Sequence, residues 1–461
     1  MVGRLRDIWR RVEVATRPVH LDLEVALRRR WEELPAHVKT PAQALGRRTM
    51  GCEGTQGVFP RCNLACTPCY HSREANRVRT DGEHTIDEIE RQMAYLRRER
   101  GPGQHAQLIG GEVTLLDPDD HAGALLTMRR HGRKPMSLSH GDFDYEYLER
   151  LVLGGDGRPR LTHVAFAGHF DSMMFGRRGI PRARTERELN PYRQRFCDMF
   201  KRLEREHGVS SYLAHNMTVT PRNLDQVAGV VRDCWDLGFR MLSFQPAAHV
   251  GNAARWKDDY RELTGDRVWA EVERGAGTRV PTGIFQNGDV RCNRTSHGAR
   301  VGSRWVPFLD DQVPADVAAR DLYYEAIGGM DFDVPGPVLA VKLARAAARR
   351  PRLAPVALAW GARFVRRAGL GALRRHGARP LTFVMHSFMH QDEVRPAWEA
   401  LKMGRMLDDP RLRATQERLL ACSYAMAHPE LDLLVPACVQ HSVYDPEQNL
   451  RLQKLLPLAG T

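Results

Sequence analysis

The sequence predicts an α/β fold in which a barrel-like body of alternating strands and helices carries the functional site. Two observations predict it. Short apolar runs of strand length recur between residues 104 and 245, and charged amphipathic stretches of helical length separate them. The length of 461 residues is also sufficient for two or three domains, so segments outside the barrel-like body are expected.

The alternating elements can be followed in order along the chain. A charged amphipathic helix is predicted over residues 85–100, with Thr85 as its cap and Glu88 three residues later. Repeated βα units imply a parallel sheet whose site lies at the carboxyl ends of its strands. The strands are predicted around Leu108 and at 135–139, 163–167, 212–219 and 241–245, with helices that include 121–130 and 145–153.

Cys62, Cys66 and Cys69 form the most informative motif, within the run RCNLACTPCY at residues 61–70. Four thiolates complete an ordinary iron–sulfur cube, so a compact set of three leaves one iron open for another ligand. Half of a zinc site is the alternative, but zinc ribbons contain two separated Cys-x-x-Cys pairs and this chain has one. A disulfide framework is disfavoured because nine cysteines are few and odd in number.

At this triplet the chain resembles the radical S-adenosylmethionine (radical SAM) superfamily, whose signature has this spacing. A second match is Gly110-Gly111-Glu112 at the end of the predicted Leu108 strand. In the family this motif contacts the amino group of the methionine moiety: glycine permits close approach of backbone, and a carboxylate accepts hydrogen bonds from an ammonium. One position departs from the family. The family usually has an aromatic residue just before the third cysteine, whereas this chain has Pro68 there and Tyr70 just after the cysteine.

The resemblance implies a partial (β/α)6 TIM-like barrel, expected over residues 55–300, and a [4Fe-4S] cluster on the three cysteines. It also implies that the open iron binds S-adenosyl-L-methionine, and that an electron from a donor such as flavodoxin or ferredoxin yields a 5′-deoxyadenosyl radical. That radical would abstract hydrogen from an unactivated carbon. Polar residues at the predicted strand ends are candidates for binding the cosubstrate, although a capping or ladder role remains open for them: Ser139, Asn216, Thr218 and Gln245.

The charge is unevenly distributed along the chain. Lysine and arginine number 69 against 56 acidic residues, a net charge of +13, yet residues 334–391 contain eleven basic residues and no acidic one. Basic amphipathic helices are predicted there, with Lys342, Arg345 and Arg349 on one face and Trp360 at an interface. A membrane surface is the expected partner, and the large apolar component disfavours nucleic acid, so no nucleic acid is expected. A solvated basic face of helices packed on the barrel is the remaining alternative.

The segments outside the barrel are a helical N-terminal extension at 1–54, a basic amphipathic helical segment at 301–380 and a mainly helical C-terminal cap at 381–461. Cys292, Cys422 and Cys438 are candidate ligands of an auxiliary cluster, completed by Cys52 or His441. The alternative is that these thiols are buried small hydrophobes, as expected for Cys197 and Cys234 on helical patterns.

These features define the functional hypotheses. The leading one is a radical SAM enzyme acting on a membrane-associated lipid or isoprenoid chain, with a short C-terminal similarity to tetraether-lipid synthase-like members. The alternatives are a radical SAM enzyme that modifies peptides or proteins, and a non-enzymatic zinc or nucleic-acid-binding protein. Because the sequence contains no apolar signal region and no membrane-spanning run, a cytoplasmic location is expected, with residues 334–391 peripheral on the inner membrane face.

Overall fold

A computed structural model describes residues 12–458, and one sheet of eleven strands organises them. The main sheet has the order β11-β10-β12-β9-β8-β5-β4-β3-β1-β13-β14, and β2, β6 and β7 form a separate small sheet. The strands, numbered in chain order, are β1 Cys52–Gly54, β2 Ala65–Cys66, β3 Gln104–Leu108, β4 Arg133–Ser139, β5 His163–His169, β6 Met174–Arg177, β7 Ile180–Arg182, β8 Ser210–Val219, β9 Met241–Pro246, β10 Asn293–Val301, β11 Arg304–Pro307, β12 Arg379–His386, β13 Tyr424–His428 and β14 Leu433–Pro436.

Six neighbouring parallel strands, β1, β3, β4, β5, β8 and β9, form the barrel-like part of the sheet, and each is followed by a helix. The predicted α/β fold with a partial (β/α)6 barrel is therefore confirmed. The α-helices between residues 20 and 458 are Leu21–Glu33, Gly82–Arg100, Pro118–Arg130, Tyr145–Val152, Asn190–His207, Val227–Asp233, Gly265–Ala276, Pro314–Ile327, Gly336–Arg349, Leu353–Ala368, Leu370–His376, Gln391–Lys402, Pro410–Leu420, Ala437–Val439 and Asp445–Leu455.

The first barrel helix begins earlier than predicted. It starts at Gly82, and Asp81 caps it by accepting a hydrogen bond from the backbone N–H of His84 at 3.0 Å. Thr85 is fully buried inside the helix, where its hydroxyl donates to the carbonyl of Val58 at 3.0 Å. The prediction of Thr85 as the cap is wrong because this hydroxyl fastens the helix to the segment that leads into the cysteine loop.

The C-terminal part of the chain extends the sheet at both ends. Strand β12 pairs in parallel with β9, and β13 pairs in parallel with β1. The mainly helical cap predicted at 381–461 thus also supplies most of β12, with β13 and β14. Pairing covers edges that would otherwise expose unpaired backbone groups. Of the predicted N-terminal extension, residues 1–11 lie outside the described part, Leu21–Glu33 is helical and β1 belongs to the main sheet.

The three helices Gly336–Arg349, Leu353–Ala368 and Leu370–His376 make up most of the basic segment. Arg363 and Arg367 form ion pairs with the fully buried Asp316, and the indole of Trp360 donates to the carbonyl of Phe308 at 2.6 Å. Trp360 is therefore a docking residue against the body of the protein, contrary to the interfacial role predicted for it. Over residues 12–458, no helix combines the length and apolarity that crossing a membrane demands.

Lys342 also differs from its prediction. Its side chain is buried, with 7% of the residue exposed, and so it does not share a solvent-facing surface with Arg345 and Arg349. The long aliphatic stem of lysine can pack against apolar surface, which a count of charges along the sequence does not reveal.

The short strand β1 carries a buried ion-pair cluster. Glu53 is fully buried and pairs with Arg133 at 3.0 Å and with Arg100 at 3.3 Å. Arg133 also donates to the carbonyl of Gly101 at 2.7 Å, and Arg100 donates to the carbonyl of Met50. One carboxylate thus neutralises two buried guanidinium groups and joins β1 to β4 and to the end of the first barrel helix.

We expect Glu53→Ala to lower the free energy of unfolding by about 3–5 kcal/mol, because it leaves two buried guanidinium groups without a counter-charge. Urea denaturation followed by circular dichroism measures the effect. Glu24→Ala is the control, since Glu24 pairs with Arg28 on the surface and its loss should change stability far less. Equal stability of the two variants would contradict a structural role for the buried cluster.

Candidate functional site

A cavity of about 260 Å³ lies at the carboxyl ends of the parallel strands. Residues at or just after the ends of β3, β4, β5, β8 and β9 line it, as parallel βα units require. Much of the remaining lining is apolar and includes Met136, Leu138 and Met241. The cavity therefore combines a polar rim of strand ends with an apolar interior.

The cysteine loop closes one side of this cavity, and all three thiols of Cys62, Cys66 and Cys69 line it. Cys66 lies on β2, which pairs antiparallel with β6, so the loop is anchored to a small sheet of its own. The backbone N–H of Cys62 donates to the side chain of Asn76 at 3.1 Å. These contacts bring three residues from eight consecutive positions to one wall of the cavity.

Burial raises the pKa of all three thiols, to about 12 for Cys62, and well above its ordinary value for Cys66. N–H donors and positive charge oppose this effect: the N–H of Leu64 donates to the sulfur of Cys62 at 3.4 Å, and the Arg255 guanidinium acts on Cys69. These thiols therefore lose their protons most readily when a metal binds the sulfur atoms in place of the protons.

Across residues 12–458, one group of three His, Cys, Asp or Glu side chains brings its ligand atoms within 4.8 Å of one another, namely Glu149, Glu206 and His207. The cysteine triplet is not such a group. The ligand atoms of a tetrahedral zinc ion lie closer to one another than 4.8 Å. Three partly buried soft thiols that line a shared space fit an iron–sulfur cluster.

The Glu149, Glu206 and His207 group lies outside the lining of the cavity. Its members have protein partners: His207 pairs with Glu149 at 2.8 Å, and Glu206 pairs with Arg202 at 2.9 Å. This arrangement is an ordinary network of surface charges.

Gly110 and Gly111 are required for contact with the cysteine loop. A Cβ on Gly111 would overlap the carbonyl oxygen of Arg61, and one on Gly110 would lie 2.8 Å from the ring of Phe59. In this close approach the N–H of Gly111 donates to the carbonyl of Phe59 at 2.8 Å, and the N–H of Glu112 donates to the carbonyl of Arg61 at 2.8 Å. The two glycines thus let the end of β3 run directly against the backbone that enters the loop.

The carboxylate of Glu112, which was predicted to contact the ammonium of a ligand, lines the cavity and also accepts hydrogen bonds from protein donors. It is 1% exposed and accepts hydrogen bonds from both the N–H and the hydroxyl of Thr114, from the hydroxyl of Ser139 at 2.7 Å and from the N–H of His140 at 2.8 Å. Glu112 therefore joins the end of β3 to the end of β4, and Ser139 is occupied with it.

The other predicted strand-end residues also line the cavity. The hydroxyl oxygen of Thr218 lies 3.2 Å from Nε2 of His169. The same nitrogen lies 2.8 Å from a carboxylate oxygen of Asp171. The amide of Gln245 donates to the hydroxyl of Ser243 at 3.0 Å, and Asn216 lies within β8 and is 8% exposed. The structure therefore brings Asn216, Thr218 and Gln245 together along the two neighbouring strands β8 and β9.

Sequence reasoning missed several residues of this site. Tyr70 and His71 both contact the carbonyl of Gly110, at 3.1 Å for the Tyr70 hydroxyl. Asp171 lies two residues after the end of β5. A polar residue so close to a predicted strand end could have been recognised as a candidate for the site. Arg255 acts on Cys69 from almost two hundred residues away, and no local pattern indicates such a contact.

The C-terminal thiols share this cavity. Cys292, Cys422 and Cys438 all line it, together with Cys52 and His441. Three segments that are distant in sequence therefore place thiols in the space that the Cys62, Cys66 and Cys69 loop faces, whereas Cys197 and Cys234 lie in the hydrophobic core.

A family model matches part of the chain. Residues 57–234 match the model of the radical SAM superfamily. Solved structures that resemble the chain include SuiB of Streptococcus suis, at 14% identity over 46% of this chain and 42% of that chain with a TM-score of 0.30, and native anSMEcpe with bound AdoMet, at 16% identity over 48% of this chain and 57% of that chain with a TM-score of 0.30. The chain thus spans less than two thirds of either protein. No curated protein matches it.

We expect Gly111→Ala to displace the entry of the cysteine loop, since the new methyl group would overlap the carbonyl of Arg61. Such overpacking costs about 1–3 kcal/mol, and iron per chain after anaerobic reconstitution should fall. Gly155→Ala is the matched control, because a Cβ there meets no atom within 4 Å. Full iron loading of the Gly111 variant would show that the close backbone contact does not hold the loop.

Proposed function

We infer that this chain, whose residues 57–234 form a radical SAM superfamily domain, is an enzyme that cleaves S-adenosylmethionine reductively and abstracts hydrogen from an unactivated carbon. The observation that carries the inference is the convergence of Cys62, Cys66 and Cys69 with the strand ends on one cavity. A bound [4Fe-4S] cluster would supply the electron that breaks the carbon–sulfur bond and yields the 5′-deoxyadenosyl radical.

The residues of the chain have separable tasks in this proposal. Cys62, Cys66 and Cys69 hold the cluster, and the backbone around Gly110 and Gly111 positions the methionine end of the cosubstrate. Asn216, Thr218 and Gln245 are positioned to bind the rest of that molecule along the strand ends. The apolar lining excludes water, which protects a carbon radical from side reactions. A low-potential one-electron carrier of the flavodoxin or ferredoxin type would supply the electron.

We propose an apolar substrate, such as a lipid or isoprenoid chain. Support comes from the cavity, where Met136, Leu138, Met241, Phe388 and Met389 surround the space beside the cysteine loop. An unactivated carbon in such a chain offers no polar handle, so shape and apolar contact must hold it in place.

The basic helices supply a surface suited to delivering such a substrate. Leu358 is 77% exposed and lies two turns from Val365, which is 37% exposed, with Leu370 at 53% nearby in sequence. Among residues 12–458, Arg366, Arg374 and Arg375 are exposed and form no ion pair with a described residue. We therefore propose that this face, defined by Leu358, Val365, Leu370 and those three arginines, rests on an anionic membrane surface.

We expect the unsubstituted protein to sediment with phosphatidylcholine–phosphatidylserine vesicles at low salt and to be released at high salt. Replacing Arg366, Arg374 and Arg375 by glutamate should weaken vesicle binding roughly 100-fold or more, since each basic residue near an anionic membrane contributes about 1 kcal/mol. Arg158→Glu, an exposed change outside the proposed face, is the control. Binding to duplex DNA but not to vesicles, or equal vesicle binding by all variants, would contradict the membrane assignment.

We expect Cys66→Ala to reduce 5′-deoxyadenosine formation from S-adenosylmethionine and dithionite to the level of an enzyme-free reaction, because two thiols cannot hold the cluster. Mass spectrometry of the nucleoside product measures this. Cys197→Ala, which removes a buried thiol from the core, should cleave the cosubstrate normally. Normal cleavage of S-adenosylmethionine by a folded Cys66→Ala variant would contradict the proposed function.

A further inference from the structure

The three C-terminal thiols each have a specific hydrogen-bond donor. Arg418 Nε donates to the sulfur of Cys292 at 3.1 Å, and the N–H of Met389 donates to Cys438 at 3.5 Å. The N–H of Tyr424 donates to Cys422 at 3.4 Å, while the Cys422 thiol lies 3.2 Å from the carbonyl of the same residue. In the cysteine loop, the N–H of Leu64 contacts Cys62 in the same way at 3.4 Å. N–H donors favour the thiolate over the thiol, and thiolates are the form that binds iron.

Buried cysteines elsewhere in the chain lack this feature. Cys197 lies in the helix Asn190–His207 and Cys234 follows the helix Val227–Asp233, and neither thiol has a side-chain hydrogen bond to another residue among 12–458. Both belong to the hydrophobic core. The donors at the three cavity thiols are therefore not a general consequence of burying cysteine.

His441 presents an unused ligand atom to the same cavity. Its Nδ1 lies 2.6 Å from a carboxylate oxygen of Asp445, while its Nε2 is buried and has no partner among the described residues. The residue is 4% exposed, so water does not readily satisfy that nitrogen. In the neutral tautomer whose Nδ1–H donates to Asp445, Nε2 carries the lone pair that a metal would take.

The local backbone and its support favour the metal. His441 follows Cys438 by three residues on one continuous helical stretch, and it lies in the π-helical turn Gln440–Tyr444, a feature frequent at functional sites. Asp445 is held in turn by the amide of Gln440 at 2.8 Å. A histidine oriented through its other nitrogen by a carboxylate is the usual arrangement of a metal-binding imidazole.

We propose that Cys292, Cys422, Cys438 and His441 bind a second iron–sulfur cluster inside the reaction cavity, with Asp445 positioning the histidine and the Arg418 guanidinium offsetting thiolate charge. Their ligand atoms do not form a group within 4.8 Å of one another among residues 12–458. Cys52 also lines the cavity, but we assign His441 as the fourth ligand because its buried Nε2 has no hydrogen-bond partner among residues 12–458.

The second cluster goes beyond the proposed reaction and is tested apart from it. The full-length chain with Cys62, Cys66 and Cys69 all changed to alanine removes the first cluster. After anaerobic reconstitution, we expect this background to retain about four irons per chain, with a histidine nitrogen coupling in the pulsed EPR spectrum of the reduced protein. Adding Cys438→Ala or His441→Ala should remove the iron, whereas adding Cys197→Ala should not.

His441→Cys keeps the test decisive if the alanine variants fold poorly. A thiolate is anionic where imidazole is neutral, so His441→Cys in the same background should keep the iron, lose the nitrogen coupling and shift the reduction potential to a more negative value. An iron-free or zinc-only background, or an unchanged nitrogen coupling in His441→Cys, would overturn the assignment. The triple alanine variant could hold no iron while the unsubstituted protein still cleaves S-adenosylmethionine. That result would reject the second cluster and leave the proposed function intact.

Discussion

The close backbone contact between Gly111 and the segment entering the cysteine loop is the constraint on which the site depends. It places the N–H groups of Gly111 and Glu112 on the carbonyls of Phe59 and Arg61, each at 2.8 Å. From there the Glu112 carboxylate reaches Ser139 and His140 on the next strand end. The cysteine loop, whose own strand β2 pairs with β6, is thus also fixed to the main sheet. A site that must hold a cluster against a ligand requires such support.

Burial defines the chemistry that this arrangement permits. It raises the pKa of the cysteine thiols and lowers that of His71 and His386 to about 4, so both imidazoles are neutral in the cavity at neutral pH. Permanent positive charge comes instead from guanidinium groups, with Arg255 acting on Cys69 and Arg418 on Cys292. A mainly apolar space with cationic groups beside its sulfur atoms favours bound thiolates, a condition that radical chemistry at a metal cluster needs.

Much of the fold could be predicted because parallel strands buried on both faces appear as short apolar runs. The runs around Leu108 and at 135–139, 163–167, 212–219 and 241–245 all fall within strands of the structure. Pairings between distant segments could not be predicted. The local sequence of β12 does not indicate that it pairs with β9, and that of β13 does not indicate that it pairs with β1. The same limit applies to side chains: Lys342 is buried, Trp360 docks on Phe308 and Glu112 is occupied by Ser139, each through partners that spacing does not reveal.

An open iron on the Cys62, Cys66 and Cys69 cluster is the central claim, and electron–nuclear double resonance with labelled S-adenosylmethionine tests it most directly. The measurement uses reduced protein carrying Cys438→Ala, so that the first cluster alone contributes, and cosubstrate with ¹⁵N in its methionine amino group. We predict a ¹⁵N hyperfine coupling that appears on adding the labelled cosubstrate, because the amine binds the iron that lacks a cysteine. A reduced cluster with an unchanged spectrum and no ¹⁵N coupling would contradict the account.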